Sequence, residues 1–219
     1  METPFLKVDL PTTFNDHPGV FSALLYTKIH QCNLNCYQCH NRHSFKGKEE
    51  FFTREELKEK LKMLKLLGAQ LIIVSGGEPT LERNLEEGLE LIKEEGFPVR
   101  IDTNGTLPKR VEELAKKMLI DGVALDVKIP LLPEYTPHQL ERFKRILFSS
   151  EGLAPSKVYE YVQRVKMTIE VIKRYSLPYT LLRTVRYPLL KEEEISLIKE
   201  SLKSLPYPHQ VNPFYPVEE

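Results

Sequence analysis

The sequence predicts an α/β fold, a partial (β/α)6 barrel whose parallel sheet stays open on one side with helices packed outside it. Three observations carry the prediction. Short apolar runs of strand length alternate with amphipathic helical segments, a pattern that implies parallel strands joined by crossover helices. About six such units fit in the chain, whereas a closed eight-unit barrel takes ~250 residues. The apolar runs also end again and again in Gly, Asp, Asn, Lys or Arg, which places polar groups along one rim. A doubly wound sheet is the competing arrangement of the same elements.

The elements follow in order. Residues 1–20 are mixed and proline-rich and read as an N-terminal extension, with turn chemistry at Asp16, His17, Pro18 and Gly19. Residues 21–29 are β-branched and aromatic enough for a first strand. A cysteine loop follows, then a polar loop over 41–50. Thr53 with Glu56 forms a capping-box signature. The helix it starts runs to 67, with Leu57, Leu61, Leu64 and Leu67 at helical spacing, and Gly68 stops it. Residues 71–74 form a wholly apolar strand of the kind buried on both faces. A helix over 81–95, a strand over 99–102, a helix over 108–119 and a strand over 123–127 continue the alternation. Two helices, 136–148 and 156–175, then stand between strands, as an insertion longer than one crossover needs. A strand over 179–185, a helix over 191–205 and a strand over 211–215 complete a single domain spanning 1–219.

Composition narrows the function. Lys and Arg number 31 and Asp and Glu number 31, so no basic stripe points to nucleic acid and no acidic tail to a solvating role. The N-terminal residues lack the apolar core of a secretory signal. The longest apolar runs are about five residues, against the ~20 that span a bilayer. A soluble, cytoplasmic protein without a membrane or nucleic-acid partner is expected. In that compartment, clustered cysteines read as metal ligands or redox groups rather than as a disulfide framework.

All three cysteines of the chain, Cys32, Cys36 and Cys39, lie in one C-x3-C-x2-C stretch directly after the first strand. Three thiols cannot complete the four-cysteine set of an ordinary iron–sulfur cluster. Either His40 supplies a fourth ligand, as in a Cys3His zinc site, or one metal position is left for a ligand that is not protein. The other strand ends bear on this choice. Gly76 and Gly77 can bring backbone groups close to a ligand, because no Cβ intervenes, and Glu78 adds a carboxylate. Asp102 and Asn104 are short hydrogen-bonding groups suited to an amine or to ribose hydroxyls. Asp126 precedes Lys128, and Lys128 and Arg183 bring positive charge that could grip a carboxylate. The set suits a zwitterion carrying a sugar. No Walker loop and no G-x-G-x-x-G occurs, so a nucleoside triphosphate or NAD is not indicated.

The cysteine motif after a first strand, Gly-Gly-Glu-Pro after the second, Asp-Thr-Asn-Gly after the third and Leu-Asp-Val-Lys after the fourth together resemble the radical S-adenosylmethionine (SAM) superfamily. Within it the chain resembles the glycyl-radical enzyme activating enzymes, in particular the anaerobic ribonucleoside-triphosphate reductase activating group. The resemblance implies that Cys32, Cys36 and Cys39 bind three irons of a [4Fe–4S] cluster, that SAM takes the fourth, and that His40 binds no metal. It implies that Gly76, Gly77 and Glu78 align the methionine part, and that Asp102 and Asn104 face its amine and ribose. Asp126, Lys128 and Arg183 would help hold the methionine carboxylate and frame the site, while Tyr37 and Gln38 lie near the adenine. Lys128 joins the cysteines as a catalytic candidate. The implied reaction is reductive cleavage of SAM to a 5′-deoxyadenosyl radical that takes hydrogen from a glycine of an anaerobic ribonucleotide reductase-like partner. A flavodoxin- or ferredoxin-type donor would supply the electron. The alternatives are a radical SAM enzyme acting on a small molecule, such as a deazapurine precursor, and a non-catalytic zinc-binding module. Gln31 and Gln38 stand where such relatives carry Gly and an aromatic residue, and Tyr215 where some carry His.

Overall fold

The computed structural model describes residues 2–45, 48–150 and 152–217. The chain runs β1 (Glu2–Leu6), β2 (Thr12–Thr13), β3 (Ser22–Tyr26), α1 (His40–Ser44), β4 (Phe51–Thr53), α2 (Arg54–Leu66), β5 (Leu71–Ser75), a 3₁₀ turn (Pro79–Leu81), α3 (Leu85–Glu94), β6 (Val99–Thr103), α4 (Pro108–Lys116), β7 (Gly122–Asp126), α5 (Pro137–Phe148), α6 (Ser156–Tyr175), β8 (Leu181–Val185), α7 (Glu192–Leu202) and β9 (His209–Asn212). A curled sheet of seven strands has the order β2-β3-β5-β6-β7-β8-β9. Every pair from β3 to β9 is parallel, and only the short β2 is antiparallel. A doubly wound sheet would reverse its strand order at a switch point. Here the order never reverses, and β2 and β9 remain opposite edges. The fold is the half-barrel.

Strand alternation divides the core in two. Ala23, Leu25, Ile72, Val74, Ile101, Val123, Leu125 and Leu182 point outward and join the helices in the main apolar cluster. Leu24, Leu71 and Ile73 point inward and form a small separate cluster with Val20, Tyr26 and Tyr179. The barrel interior is therefore apolar only in part, and the rest of it is left for polar side chains.

Helix starts follow local chemistry. Thr53 Oγ1 accepts from the Glu56 amide at 3.2 Å, and the Thr53 amide donates back to Glu56 Oε2 at 2.9 Å. Leu57, Leu61 and Leu64 face the core. The same device opens α5, where Thr136 and Gln139 cap each other and Pro137 occupies the first turn.

Several elements differ from expectation. The N-terminal extension contains a strand the sequence reading did not place: β1 pairs antiparallel with β4, and Phe5 and Leu6 are fully buried. Pro4 argues against a central strand, but a two-stranded ribbon tolerates it. The polar loop over 41–50 contains the short α1, and β4 begins at 51. The first strand stops at Tyr26 rather than 29, because the following backbone peels away to lie on Gly76 and Gly77. The helix expected from 81 starts at Leu85, after the 3₁₀ turn that Glu78 caps. The strand expected from 179 begins at Leu181, since the Tyr179 carbonyl crosses closely over Gly122. The last strand is His209–Asn212, and the chain then leaves the sheet.

Thr53→Ala removes the cap that α2 depends on. It should cost about 1 kcal/mol, read as a lowered urea midpoint with an unchanged m-value.

Candidate active site

A cavity of about 590 Å³ opens at the carboxyl ends of the parallel strands. Cys32, Cys36, Gln38, Cys39, Gly76, Gly77, Glu78, Asp102, Asn104, Asp126, Lys128 and Arg183 all line it. Tyr37 and Gln31, which the sequence also singles out, are not on its wall. The Tyr37 ring instead stacks on Phe214, with centroids 5.8 Å apart.

The cysteine loop is mounted from two sides. On one side, the amides of Asn35 and Tyr37 donate to the carbonyls of Leu147 and Ile146 at 3.1 and 3.0 Å. These carbonyls belong to the last turn of α5, which has no intrahelical partners for them. The long helical stretch thus carries the cysteine loop. On the other side, the Gly77 amide donates to Lys28 O at 3.1 Å and the Glu78 amide to Gln31 O at 2.8 Å. A Cβ on Gly77 would lie 2.4 Å from Gln31 O, and one on Gly76, whose φ is +135°, 2.5 Å from Thr27 Oγ1. The two glycines are the seat on which the entry to the cysteine loop rests. Asn41 completes the clamp by donating to the Gly76 carbonyl.

Glu78 is 2% exposed and fully engaged. Its Oε1 accepts from Thr80 Oγ1 at 2.5 Å, Thr103 Oγ1 at 2.7 Å and the Thr80 amide at 3.1 Å, and its Oε2 accepts from the Asn104 amide at 2.8 Å. Burial pushes its carboxyl up, and the donors of Thr80, Asn104 and Thr103 only partly offset that. Glu78 buckles the glycine loop to the end of β6. Asn104 sits between loops: its Nδ2 donates to Asn33 Oδ1 at 3.0 Å and lies 3.7 Å from Cys32 Sγ.

The charged residues form one connected series across three strands. Arg100 Nε donates to Asp102 Oδ1 at 3.1 Å. Arg183 Nη1 reaches Asp102 Oδ2 at 2.8 Å, and its Nε reaches Asp126 Oδ1 at 2.9 Å. Lys128 Nζ lies 3.0 Å from Asp126 Oδ2. Register explains the closeness, since Asp126 and Arg183 are direct neighbours on β7 and β8. Burial pushes the Asp126 carboxyl up, but Arg183 and Lys128 together hold it below its ordinary value. Burial alone would lower Lys128; Asp126, with Tyr187 and Cys36 beyond it, holds it well above its ordinary value. Lys128 is thus a permanent cation beside the thiols.

Sequence reasoning missed several contributors. Arg100 is completely buried, and its Nη1 also donates to Asp16 O at 2.6 Å, which ties the N-terminal turn to the cavity floor. A charged residue in an apolar strand, two places before Asp102, was the available signal. Tyr161 of α6 accepts from the Lys128 amide at 3.0 Å and donates to Asp126 O at 3.1 Å. Tyr187 and Phe214 line the mouth, and no local motif marks them. His40 Nε2 lies 2.5 Å from the Tyr215 carbonyl.

The donor set can be tested against a cluster and SAM. Among the described residues, no three His, Cys, Asp or Glu side chains already converge as an ion cage. A zinc ion needs its ligands within about 2.3 Å of one point. A [4Fe–4S] cluster takes each thiolate on its own iron, and Cys32, Cys36 and Cys39 all face the same cavity. Burial pushes the Cys36 thiol up to about 11, against the pull of Lys128, so this thiolate needs a metal to form near neutrality. Lys128 keeps donor capacity toward the cavity for a carboxylate. The residues fit both groups.

Arg183→Met would leave Asp102 with Arg100 alone and Asp126 with Lys128 alone, and should cost ~1–3 kcal/mol near neutral pH. The depressed Asp126 contributes stability above the ordinary carboxylate range and loses it as pH falls through its lowered value. The gap in melting temperature between wild type and variant should therefore narrow on acidification below about pH 4.

Comparison with known proteins agrees with this geometry. Residues 26–205 match the radical SAM superfamily. A Methanocaldococcus jannaschii protein that carries the name of a glycyl-radical enzyme activating enzyme is 43% identical over 122 residues, covering 55% of this chain and 48% of that one. The 7-carboxy-7-deazaguanine synthase of Aquifex aeolicus is 35% identical over 156 residues, covering 67% of each chain. The chain thus spans about half the length of the first of these relatives. The Streptococcus suis SuiB structure bound to S-adenosylmethionine superposes with a TM-score of 0.59 at 17% identity, covering 91% of this chain and 41% of that one, which is a likeness of fold. The match over 26–205 begins at the end of β3 and takes in the cysteine motif, the glycine loop and the charged series, so the chain belongs to the radical SAM superfamily, whose chemistry rests on a [4Fe–4S] cluster and S-adenosylmethionine.

Proposed function

We propose that this protein is an activating enzyme that installs a radical on a backbone glycine of a protein partner of the anaerobic ribonucleotide reductase type. The observation that carries this reading is the 43% identity to the glycyl-radical activating enzyme relative. The open side of the half-barrel supports it, because a loop of a large protein can approach there.

In this reading Cys32, Cys36 and Cys39 hold three irons and leave the fourth to SAM. The bound cluster and SAM supply one-electron reductive cleavage of a sulfonium and, with it, hydrogen abstraction. The electron comes from a flavodoxin- or ferredoxin-type donor. The chain supplies position and exclusion of water. Lys128 and Arg183 hold the SAM carboxylate, and Asp126 keeps both cations oriented. Gly76, Gly77 and Glu78 set the distance between the glycine loop and the cysteine loop. Asp102 and Asn104 face the amine and ribose. Asn104, beside the Cys32 sulfur, donates to a ligand atom, an interaction that tunes cluster potential. Gln38 borders the adenine side, and Tyr37 acts behind the wall by stacking on Phe214.

A second reading has a specific observation in its favour. The deazaguanine synthase relative is similar over two thirds of both chains, and a small molecule would also reach the cavity from the open side.

Two measurements test the proposal. Cys36→Ala should lower iron content and abolish 5′-deoxyadenosine formation under reducing conditions; retained cleavage sinks the cluster assignment. Mixing the reduced, SAM-loaded protein with an anaerobic ribonucleotide reductase should produce a glycyl-radical EPR doublet. Absence of the doublet, together with turnover of a deazapurine precursor, selects the second reading.

A further inference from the structure

Among the described residues the sheet ends on β9, which pairs with β8 alone. The pairing is parallel, and its end bonds fix which backbone groups are used. The Leu182 amide donates to Pro208 O at 2.9 Å, and the Arg186 amide donates to Asn212 O at 2.9 Å. The backbone groups of Gln210 and Asn212 therefore face β8, while those of His209 and Val211 face away from it. Among the described residues, no hydrogen bond reaches the amide or carbonyl of either His209 or Val211.

Free edges are ordinarily blunted by charge, by bulges or by a covering element. The His-Gln-Val-Asn strand contains no Lys, Arg, Asp or Glu. Pro208 and Pro213 bracket it, so pairing can extend over only a few residues. Its orientation is also fixed. His209 Nε2 lies 2.9 Å from Thr184 Oγ1, and Val211 packs against the main core, which places both on the outer face. Asn212 lines the cavity, and the chain continues along the mouth through Phe214 and Tyr215.

We propose that the free edge of β9 docks an extended, glycine-containing segment of the protein partner by strand addition. The proposal rests on the activation reading for its occupant. A strand laid along this edge turns every second residue toward the cavity that holds Cys32, Cys36 and Cys39. A glycine at that position brings its backbone carbon close, because it has no side chain to hold it off. Recognition through main-chain bonds asks little of the surrounding partner sequence, and the brackets at Pro208 and Pro213 set where the segment lies.

The test uses the cluster-loaded protein and a synthetic peptide spanning the radical-bearing glycine of an anaerobic ribonucleotide reductase. Amide exchange should slow on peptide addition at His209 and Val211, while Gln210 and Asn212 are protected beforehand. Val211→Pro removes an outward N–H and leaves the β8 ladder intact, so peptide affinity should fall about tenfold, as expected for one net hydrogen bond, with SAM affinity unchanged. Peptide binding that leaves exchange at His209 and Val211 unaltered overturns the docking proposal, even if the glycyl-radical doublet forms. Protection at both amides without any doublet from the intact partner keeps the docking and removes the activation reading. A dimer in which both amides are protected before peptide is added assigns the edge to a second copy and overturns the proposal, as does a peptide that does not bind.

Discussion

The interior of an open half-barrel must hold charge without water on every side, and the series Arg100–Asp102–Arg183–Asp126–Lys128 is how this chain does it. Each carboxylate lies between two cations, so no ion is buried alone. An uncompensated charge there would be strongly destabilising. The series also ties β6, β7 and β8 together on their inner face, where the apolar cluster of Leu24, Leu71 and Ile73 does not reach. Through Arg100 and the Asp16 carbonyl it fastens the N-terminal turn beneath the cavity. The positive end of the series, Lys128, stands beside the cysteine thiols, so the groups that stabilise the interior also set the electrostatics of the site.

A second constraint is steric. The loop bearing Cys32, Cys36 and Cys39 is part of no regular element until α1 begins at His40. It is held by backbone hydrogen bonds to two unrelated parts of the molecule, the unpaired end of α5 and the glycine loop after β5. The closeness of Gly76 and Gly77 to residues 27–31 leaves no room for side chains at either position. Their first role is thus to seat the ligand loop, and any contact with a bound molecule is added to that. Glu78 likewise first closes the glycine loop onto β6. The site is preorganised because structural bonds and site residues are the same groups.

The functional reading follows from this division of labour. The closed side of the half-barrel, from β3 to β8, holds the three cysteines, the glycine seat and the charge series. The open side presents the aromatic mouth and the edge of β9. One side is suited to resident cofactors, and the other to a partner that comes and goes.

The sequence by itself determined the alternation of strands and helices, the capped start of α2, and the polar strand ends that meet on the cavity wall. These depend on local periodicity, on turn chemistry and on the rule that polar strand ends share one rim. Thr53 with Glu56, and the Gly-Gly-Glu turn, could be read without knowing what lies opposite them. Tertiary structure alone decided the rest. Pro4 concealed β1, which exists only because Phe51–Thr53 comes back to pair with it. The long stretch from α5 to α6 read as an insertion, yet it carries the cysteine loop and buttresses Asp126 and Lys128 through Tyr161. The roles of Arg100, Tyr187 and Phe214 depend on contacts between residues far apart in the chain, and no local pattern encodes a contact of that kind.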